Sequence, residues 1–168
     1  MTLIIQAAAA QMRPIAKPET RKDTVRRLSA LLRRGKERGT ALVVFTEMAF
    51  TTFLPRRQIE DEAELDSYSE RGMPGPETQP LFDEAGKRRV SLYLGSAGLV
   101  VEEGRKGLFN TSIPVNRNGK IIGRYSKVKL PVHADIDGLT SFHNHLSMQA
   151  RAYQNAAGVI GTAKCGKE

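Results

Sequence analysis

The sequence has no tryptophan, few aromatic residues and a single cysteine, Cys165. One thiol cannot form an intrachain disulfide, and it cannot build a zinc site of the cysteine-cluster type. We therefore expect a reducing, cytoplasmic setting and neither a metal nor a cofactor. No stretch approaches the roughly 20 apolar residues that a membrane-spanning helix needs, so we expect no membrane association.

Positive charge is concentrated at the start of the chain. Residues 1–40 contribute +7 of the net +8, with ten Lys and Arg residues against three acidic ones. Between Thr20 and Gly39 the apolar residues recur at helical spacing, which predicts an amphipathic helix with a basic outer face. Such a face indicates either polyanion contact or an ordinary solvated surface. Because no aromatic residues interleave the basic ones, we favour the solvated surface and expect only weak, salt-sensitive nucleic-acid binding.

The apolar run at 41–45, Ala-Leu-Val-Val-Phe, ends in Thr46 and Glu47. A run without polar alternation predicts a strand buried on both faces, with Glu47 at its end. Because burying a charge is costly, a carboxylate at such a place is usually paired or used. Glu47 either marks the point where the strand meets water or belongs to a functional site.

Strand and helix patterns alternate along the chain, which predicts an α/β layered fold in one domain. We expect residues 51–76 to be loop-like, and we interpret their acidic cluster at 60–66 as solvated rather than as a metal site. His143 and His145 point to different faces of a predicted helix and do not suit one metal ion. The other predicted elements are a strand within 3–10, a helix at 78–87, a strand at 90–96, a hairpin with arms at 110–116 and 120–125 around an Asn-Gly turn, a helix at 140–155 and a strand at 158–163.

Two segments resemble catalytic motifs of the nitrilase superfamily. Residues 43–49, Val-Val-Phe-Thr-Glu-Met-Ala, look like its first motif, and residues 123–131, Gly-Arg-Tyr-Ser-Lys-Val-Lys-Leu-Pro, look like its second. Within that superfamily the chain resembles N-carbamoyl-D-amino-acid amidohydrolases most closely, at residues 51–56, 61–67, 109–112 and 139–150.

The resemblance implies an α-β-β-α sandwich that hydrolyses the carbamoyl C–N bond of a small-molecule N-carbamoyl-D-amino acid, giving D-amino acid, ammonia and carbon dioxide. A cysteine thiolate attacks the carbamoyl carbon in this family. By the same resemblance, Glu47 matches the general base and Lys127 matches the cation. Both roles suit the chemistry, since a carboxylate can take the thiol proton and an ammonium can stabilise an oxyanion.

The nucleophile segment of the family has no counterpart here. The family places the cysteine after the Lys motif, with Trp-Pro-Glu beyond it, yet residues 137–142 already resemble a later segment. We therefore predict an internal deletion with its junction near residues 134–136. Lys129 and Val132 also replace the His and Gly usual in the Lys motif. Cys165 matches a position without an assigned catalytic role, and the family continues beyond Glu168.

The expected molecule is a single, partial domain over residues 1–168, an incomplete nitrilase-like sandwich that carries Glu47 and Lys127 without the catalytic cysteine. Three classes of function remain: an amidohydrolase, a non-catalytic remnant that self-associates or binds a related subunit, and a basic nucleic-acid-binding module. The Glu and Lys motifs favour the first two classes. The missing cysteine motif favours the second over the first and predicts an inactive chain.

An incomplete sandwich exposes unpaired strand edges and apolar surface, so we predict self-association or poor solubility. Size-exclusion chromatography with light scattering should show species larger than a monomer. A sharp monomer peak, together with a cooperative thermal transition, would contradict this expectation.

Overall fold

The structure, a computed structural model, describes residues 4–54, 59–127, 139–155 and 158–162. It forms two compact units, residues 129–161 and the remainder of the chain. The larger unit contains β1 (Ala7–Ala10), α1 (Arg21–Glu37), β2 (Leu42–Phe45), α2 (Glu62–Ser67), α3 (Gln79–Arg88), β3 (Ser91–Glu102), β4 (Arg105–Val115) and β5 (Tyr125–Ser126), and the smaller one contains α4 (Leu139–Gln154). None of the described helices is long and apolar enough to cross a membrane.

One mixed sheet of five strands, in the order β1-β2-β3-β4-β5, organises the larger unit. β2 pairs in parallel with β1 on one side and with β3 on the other. β3 and β4, and then β4 and β5, pair antiparallel. This mixed α/β architecture confirms the predicted fold class. Val43, Val44 and Phe45 are all buried, so the prediction of a β2 strand covered on both faces is confirmed.

Helices α1 and α3 cover one face of the sheet. Thr20 begins α1 by accepting a hydrogen bond from the Asp23 backbone N–H at 3.1 Å, and Gly39 follows its end with a positive φ of 78°. A Cβ at Gly35 would lie 3.0 Å from Val43 Cγ2, which shows how closely α1 lies on β2. The core between the helices and the sheet contains Leu28, Leu32, Leu81, Phe82, Val43, Leu92, Leu94, Ile113 and Val115.

Several basic side chains near the start of the chain are paired with acidic side chains, two of them from distant segments. Arg27 contacts Glu19 at 2.5 Å, and Lys17 contacts Glu64 at 2.5 Å. Arg33 of α1 contacts Glu84 of α3 at 2.6 Å. These ion pairs neutralise part of the basic surface, which leaves less of it for a polyanion.

The prediction of a loop throughout residues 51–76 is wrong at α2. The Asp61 side chain begins this helix by accepting a hydrogen bond from the Ala63 N–H at 2.9 Å. The acidic cluster lies at the surface, where two of its carboxylates form ion pairs. Glu64 pairs with Lys17, and Asp66 pairs with Lys106 at 2.8 Å.

The long β3–β4 hairpin was not predicted. It turns at Glu103 and Gly104, which have positive φ values of 50° and 75°. The predicted turn at residues 117–119 is present, with Asn116 N–H donating to Lys120 O at 2.9 Å. The predicted second arm at 120–125 pairs little with β4, however. Its described pairing consists of the two-residue strand β5 and one bridge at Ile121.

In the smaller unit, α4 confirms the predicted helix at 140–155. The predicted strand at 158–163 is wrong for its described part, since residues 158–162 form no strand. A Cβ at Gly161 would instead lie 3.0 Å from Met148 Sδ, so this segment runs close to α4. The junction near 134–136, Cys165 and the side chains of His143 and His145 lie outside the described part of the chain.

Glu84 makes a pH-dependent link between α1 and α3. Hydrogen bonds from Arg33 and Arg88 lower the pKa of the Glu84 carboxyl to about 2. Because the folded-state pKa is lowered, this stabilisation is present above the unfolded value near 4.5 and is lost as the pH falls towards 2. We predict that Glu84→Gln removes about 1–2 kcal/mol of stability at pH 7, a value reduced for the solvent exposure of Arg33.

Urea unfolding at pH 7 and pH 3 measures this effect. Glu84→Gln should narrow the stability difference between the two pH values. Asp83→Asn is the matched control, because Asp83 lies on the same helix and its Oδ1 acceptor for Gln79 is kept. An unchanged pH dependence in Glu84→Gln would refute the assignment.

Candidate active site

Glu47 lies in a turn directly beyond β2, and this turn is bonded to β3. Ala49 N–H donates to Gly95 O at 2.9 Å, and Gly95 N–H donates to Thr46 O at 3.4 Å. Met48, the next residue, has a positive φ of 48°. A non-glycine residue in this region is strained by about 1–2 kcal/mol and is held there by its surroundings. The backbone that carries Glu47 is therefore fixed against the centre of the sheet.

Gly95 allows the turn to approach β3 this closely. A Cβ at position 95 would lie 2.8 Å from both Glu47 Cα and Met48 N, a distance that real Cβ atoms essentially never show. The missing side chain at Gly95 thus provides the space in which the Glu47 backbone lies.

Lys127 reaches the same place from the β5 edge of the sheet. It follows β5, and its backbone N–H donates to Asn110 O of β4 at 2.8 Å. Its ammonium Nζ lies 3.3 Å from Glu47 Oε1. The two side chains are about two-fifths exposed, 42% for Lys127 and 41% for Glu47, so a ligand in solvent can reach the pair. The structure brings both sequence-predicted residues together.

Asn110 is the third member of the cluster, and no sequence motif pointed to it. Its side-chain Nδ2 donates a hydrogen bond to Glu47 Oε1, and the residue is only 9% exposed. The signal in the sequence was a polar side chain at the start of the predicted hairpin arm at 110–116. Buried polar groups are nearly always hydrogen-bonded, but the partner of Asn110 is far away in the sequence.

The cluster occupies the sheet face opposite α1 and α3. Side chains alternate along a strand, and Ile113 and Val115 of β4 belong to the core under the helices. Asn110 and Ser112 therefore point away from the helices. Lys127 lies opposite Asn110 in the antiparallel pairing, so its side chain is on the same face. The face of the β3–β4 hairpin that does not carry the cluster borders a groove of about 900 Å³, lined by residues such as Met73, Phe109, Thr111 and Arg124.

The groove does not include Glu47 or Lys127. We place the candidate site at the Glu47–Lys127 pair because a carboxylate and an ammonium at hydrogen-bonding distance can transfer a proton and stabilise an oxyanion. The described residues contain no group of three or more His, Cys, Asp or Glu side chains that could hold a metal ion.

Comparison with known proteins identifies the family of the chain. The model of the carbon-nitrogen hydrolase family matches residues 6–168. The chain belongs to the carbon-nitrogen hydrolase family, within the nitrilase superfamily. Since the match spans both Glu47 and Lys127, the candidate site lies within a carbon-nitrogen hydrolase domain.

Solved structures share the fold of this carbon-nitrogen hydrolase chain. A carbon-nitrogen hydrolase from Helicobacter pylori G27 is 24% identical with a TM-score of 0.59, covering 76% of this chain and 41% of its own. An N-terminal amidase is 18% identical with a TM-score of 0.59, covering 76% and 29%. The NitN amidase from Neterenkonia sp. AN1 is 17% identical with a TM-score of 0.51, covering 76% and 46%. In each case the alignment spans less than half of the solved chain.

We predict that Gly95→Ala displaces the Glu47 turn and costs about 1–3 kcal/mol of stability, because a methyl group meets backbone atoms that cannot rotate away. Gly98→Ala is the control on the same strand, since a Cβ there would lie 3.8 Å from its nearest neighbours. Urea unfolding followed by circular dichroism measures both variants. Equal stability of the two would show that the close approach at Gly95 does not constrain the turn.

Proposed function

We propose that Glu47 and Lys127 are the base and the cation of an amidohydrolase site for N-carbamoyl-D-amino acids. The observation that carries this proposal is the 3.3 Å contact between Lys127 Nζ and Glu47 Oε1 on an exposed sheet face. The contact joins two motifs that lie far apart in the sequence. Membership of the carbon-nitrogen hydrolase family supports the same class of reaction.

Each group suits one part of carbamoyl hydrolysis. The Glu47 carboxylate can take the proton from an attacking thiol, pass it to the ammonia that leaves, and then take a proton from the water that hydrolyses the acyl-enzyme. The Lys127 ammonium can stabilise the oxyanion of each tetrahedral intermediate. Because Glu47 and Lys127 are both partly exposed, the carbonyl group of a substrate can approach them from solvent.

The choice of a carbamoyl substrate rests on the resemblance of the segments at 51–56, 61–67 and 109–112. The solved relatives include proteins named as amidases, one of them bound to a Gln-Val peptide. Those names support C–N bond hydrolysis as a class. The carbamoyl group is the finer part of our proposal.

We further propose that the 168-residue chain does not complete this reaction by itself. By the resemblance, the nucleophile segment of the family has no counterpart between the Lys motif and α4, and Cys165 matches a position without a catalytic role in the family. Without a covalent intermediate, Glu47 would have to direct water at an unreactive urea-like carbon. Loss of one member of a catalytic triad costs several orders of magnitude in rate.

A non-catalytic role, through self-association or binding to a related subunit, is the second proposal. The sheet face that carries Glu47 also carries partly exposed apolar side chains. Tyr93 is 40% exposed, Leu108 44% and Tyr125 64%. Their positions on the face opposite α1 and α3 suit a covering layer of protein.

The purified chain should release no ammonia or free D-amino acid from N-carbamoyl-D-amino acids above the level of buffer. The same assay on Glu47→Gln and Cys165→Ala identifies the chemistry if turnover occurs. Turnover abolished by Cys165→Ala would mean that this thiol is the nucleophile. Turnover lost in Glu47→Gln but kept in Cys165→Ala would instead indicate direct attack by water, and either result would overturn the proposed inactivity.

A further inference from the structure

Asn110 contacts both halves of the candidate site. Its side-chain amide donates to Glu47 Oε1, and its backbone carbonyl accepts the N–H of Lys127 at 2.8 Å. Asn110 of β4 is therefore hydrogen-bonded to the proposed base through its side chain and to the residue that carries the proposed cation through its backbone.

The direction of the side-chain bond follows from the chemistry of its partner. An ionised carboxylate only accepts hydrogen bonds, so the Asn110 atom that faces Glu47 must be the amide nitrogen. Hydrogen bonds to charged groups are about twice as strong as those between neutral groups. The low exposure of Asn110 also limits competition from water. Aspartate, which has the same size but no donor, cannot replace it.

The Lys127 ammonium and the Asn110 amide approach the same oxygen, Glu47 Oε1. Two donors on one oxygen restrict rotation of the carboxylate more than either donor alone. A flexible, half-exposed lysine pays conformational entropy for each contact that it makes, whereas Asn110 is already fixed within the sheet. The preorganised donor is therefore Asn110.

We propose that Asn110 is a positioning residue, which fixes the Glu47 carboxylate beside Lys127 and thereby preorganises the site for an amide-bearing ligand. This inference rests on the proposed function, because it assigns Asn110 to the same base and cation. The hydrogen bond between Asn110 and Glu47 can be tested without measuring enzyme activity.

A reciprocal exchange tests the bond directly. Asn110→Asp should place two carboxylates against each other and lower the folding equilibrium constant by about tenfold or more. Adding Glu47→Gln should recover most of that loss, because the amide and the carboxylate then exchange places. Urea unfolding of the wild type, both single variants and the double variant measures the coupling.

Asn116→Asp is the matched control. Asn116 comes directly after β4, and its Oδ1 accepts the backbone N–H groups of Asn118 and Lys120 at 2.9 and 3.1 Å. Aspartate keeps this acceptor, so we expect little change. A double variant no more stable than Asn110→Asp alone, or an equal loss in Asn116→Asp, would overturn the proposal.

Nuclear magnetic resonance separates positioning from general stability. In the folded protein, Glu47→Gln should change the chemical shifts of the Asn110 side-chain NH₂ group. Asn110→Ala should move the Glu47 carboxyl ¹³C signal, and Asn116→Asp should leave it in place. Unmoved signals would refute the inference even if Asn110→Asp fails to fold. Ammonia release by the wild-type chain would refute the proposed inactivity and leave this result standing.

Discussion

The absence of a side chain at Gly95 is the constraint on which the candidate site depends. β3 lies at the centre of the sheet, and the turn after β2 passes so close to it that a Cβ at Gly95 would lie only 2.8 Å from Glu47 Cα and Met48 N. Hydrogen bonds from and to Gly95 hold that turn in place. The direction of the Glu47 side chain, and so its contact with Lys127, follows from this packing of backbone on backbone.

Arg21 supports the same turn from the helix side. Its guanidinium donates to the carbonyl of Phe50 and to that of Tyr68 at 3.1 Å, and its Nε lies 2.5 Å from Glu70. Burial raises the pKa of the Glu70 carboxyl, and the charge of Arg21 opposes this shift. A cation that counted towards the basic surface in the sequence thus joins α1 to the chain that follows Glu47.

Sequence patterns predicted the elements whose apolar residues are regular. α1 follows from helical spacing, and β2 follows from an unbroken apolar run. The β3–β4 hairpin did not, because charged residues such as Glu102, Arg105 and Lys106 surround its turn and hide the strand pattern. Glu47 and Lys127 could be named from motif resemblance. Asn110 could not, since a hydrogen bond between distant segments has no local signature.

The two faces of β4 have separate tasks. One face places Ile113 and Val115 in the core, and the other presents Asn110 to Glu47. A slip of this strand by a single residue would exchange the faces, so that an amide would enter the core and an apolar side chain would meet the carboxylate. Hydrophobic packing therefore fixes the register of the site as well: a chain that buries Ile113 and Val115 correctly has also placed Asn110 beside Glu47.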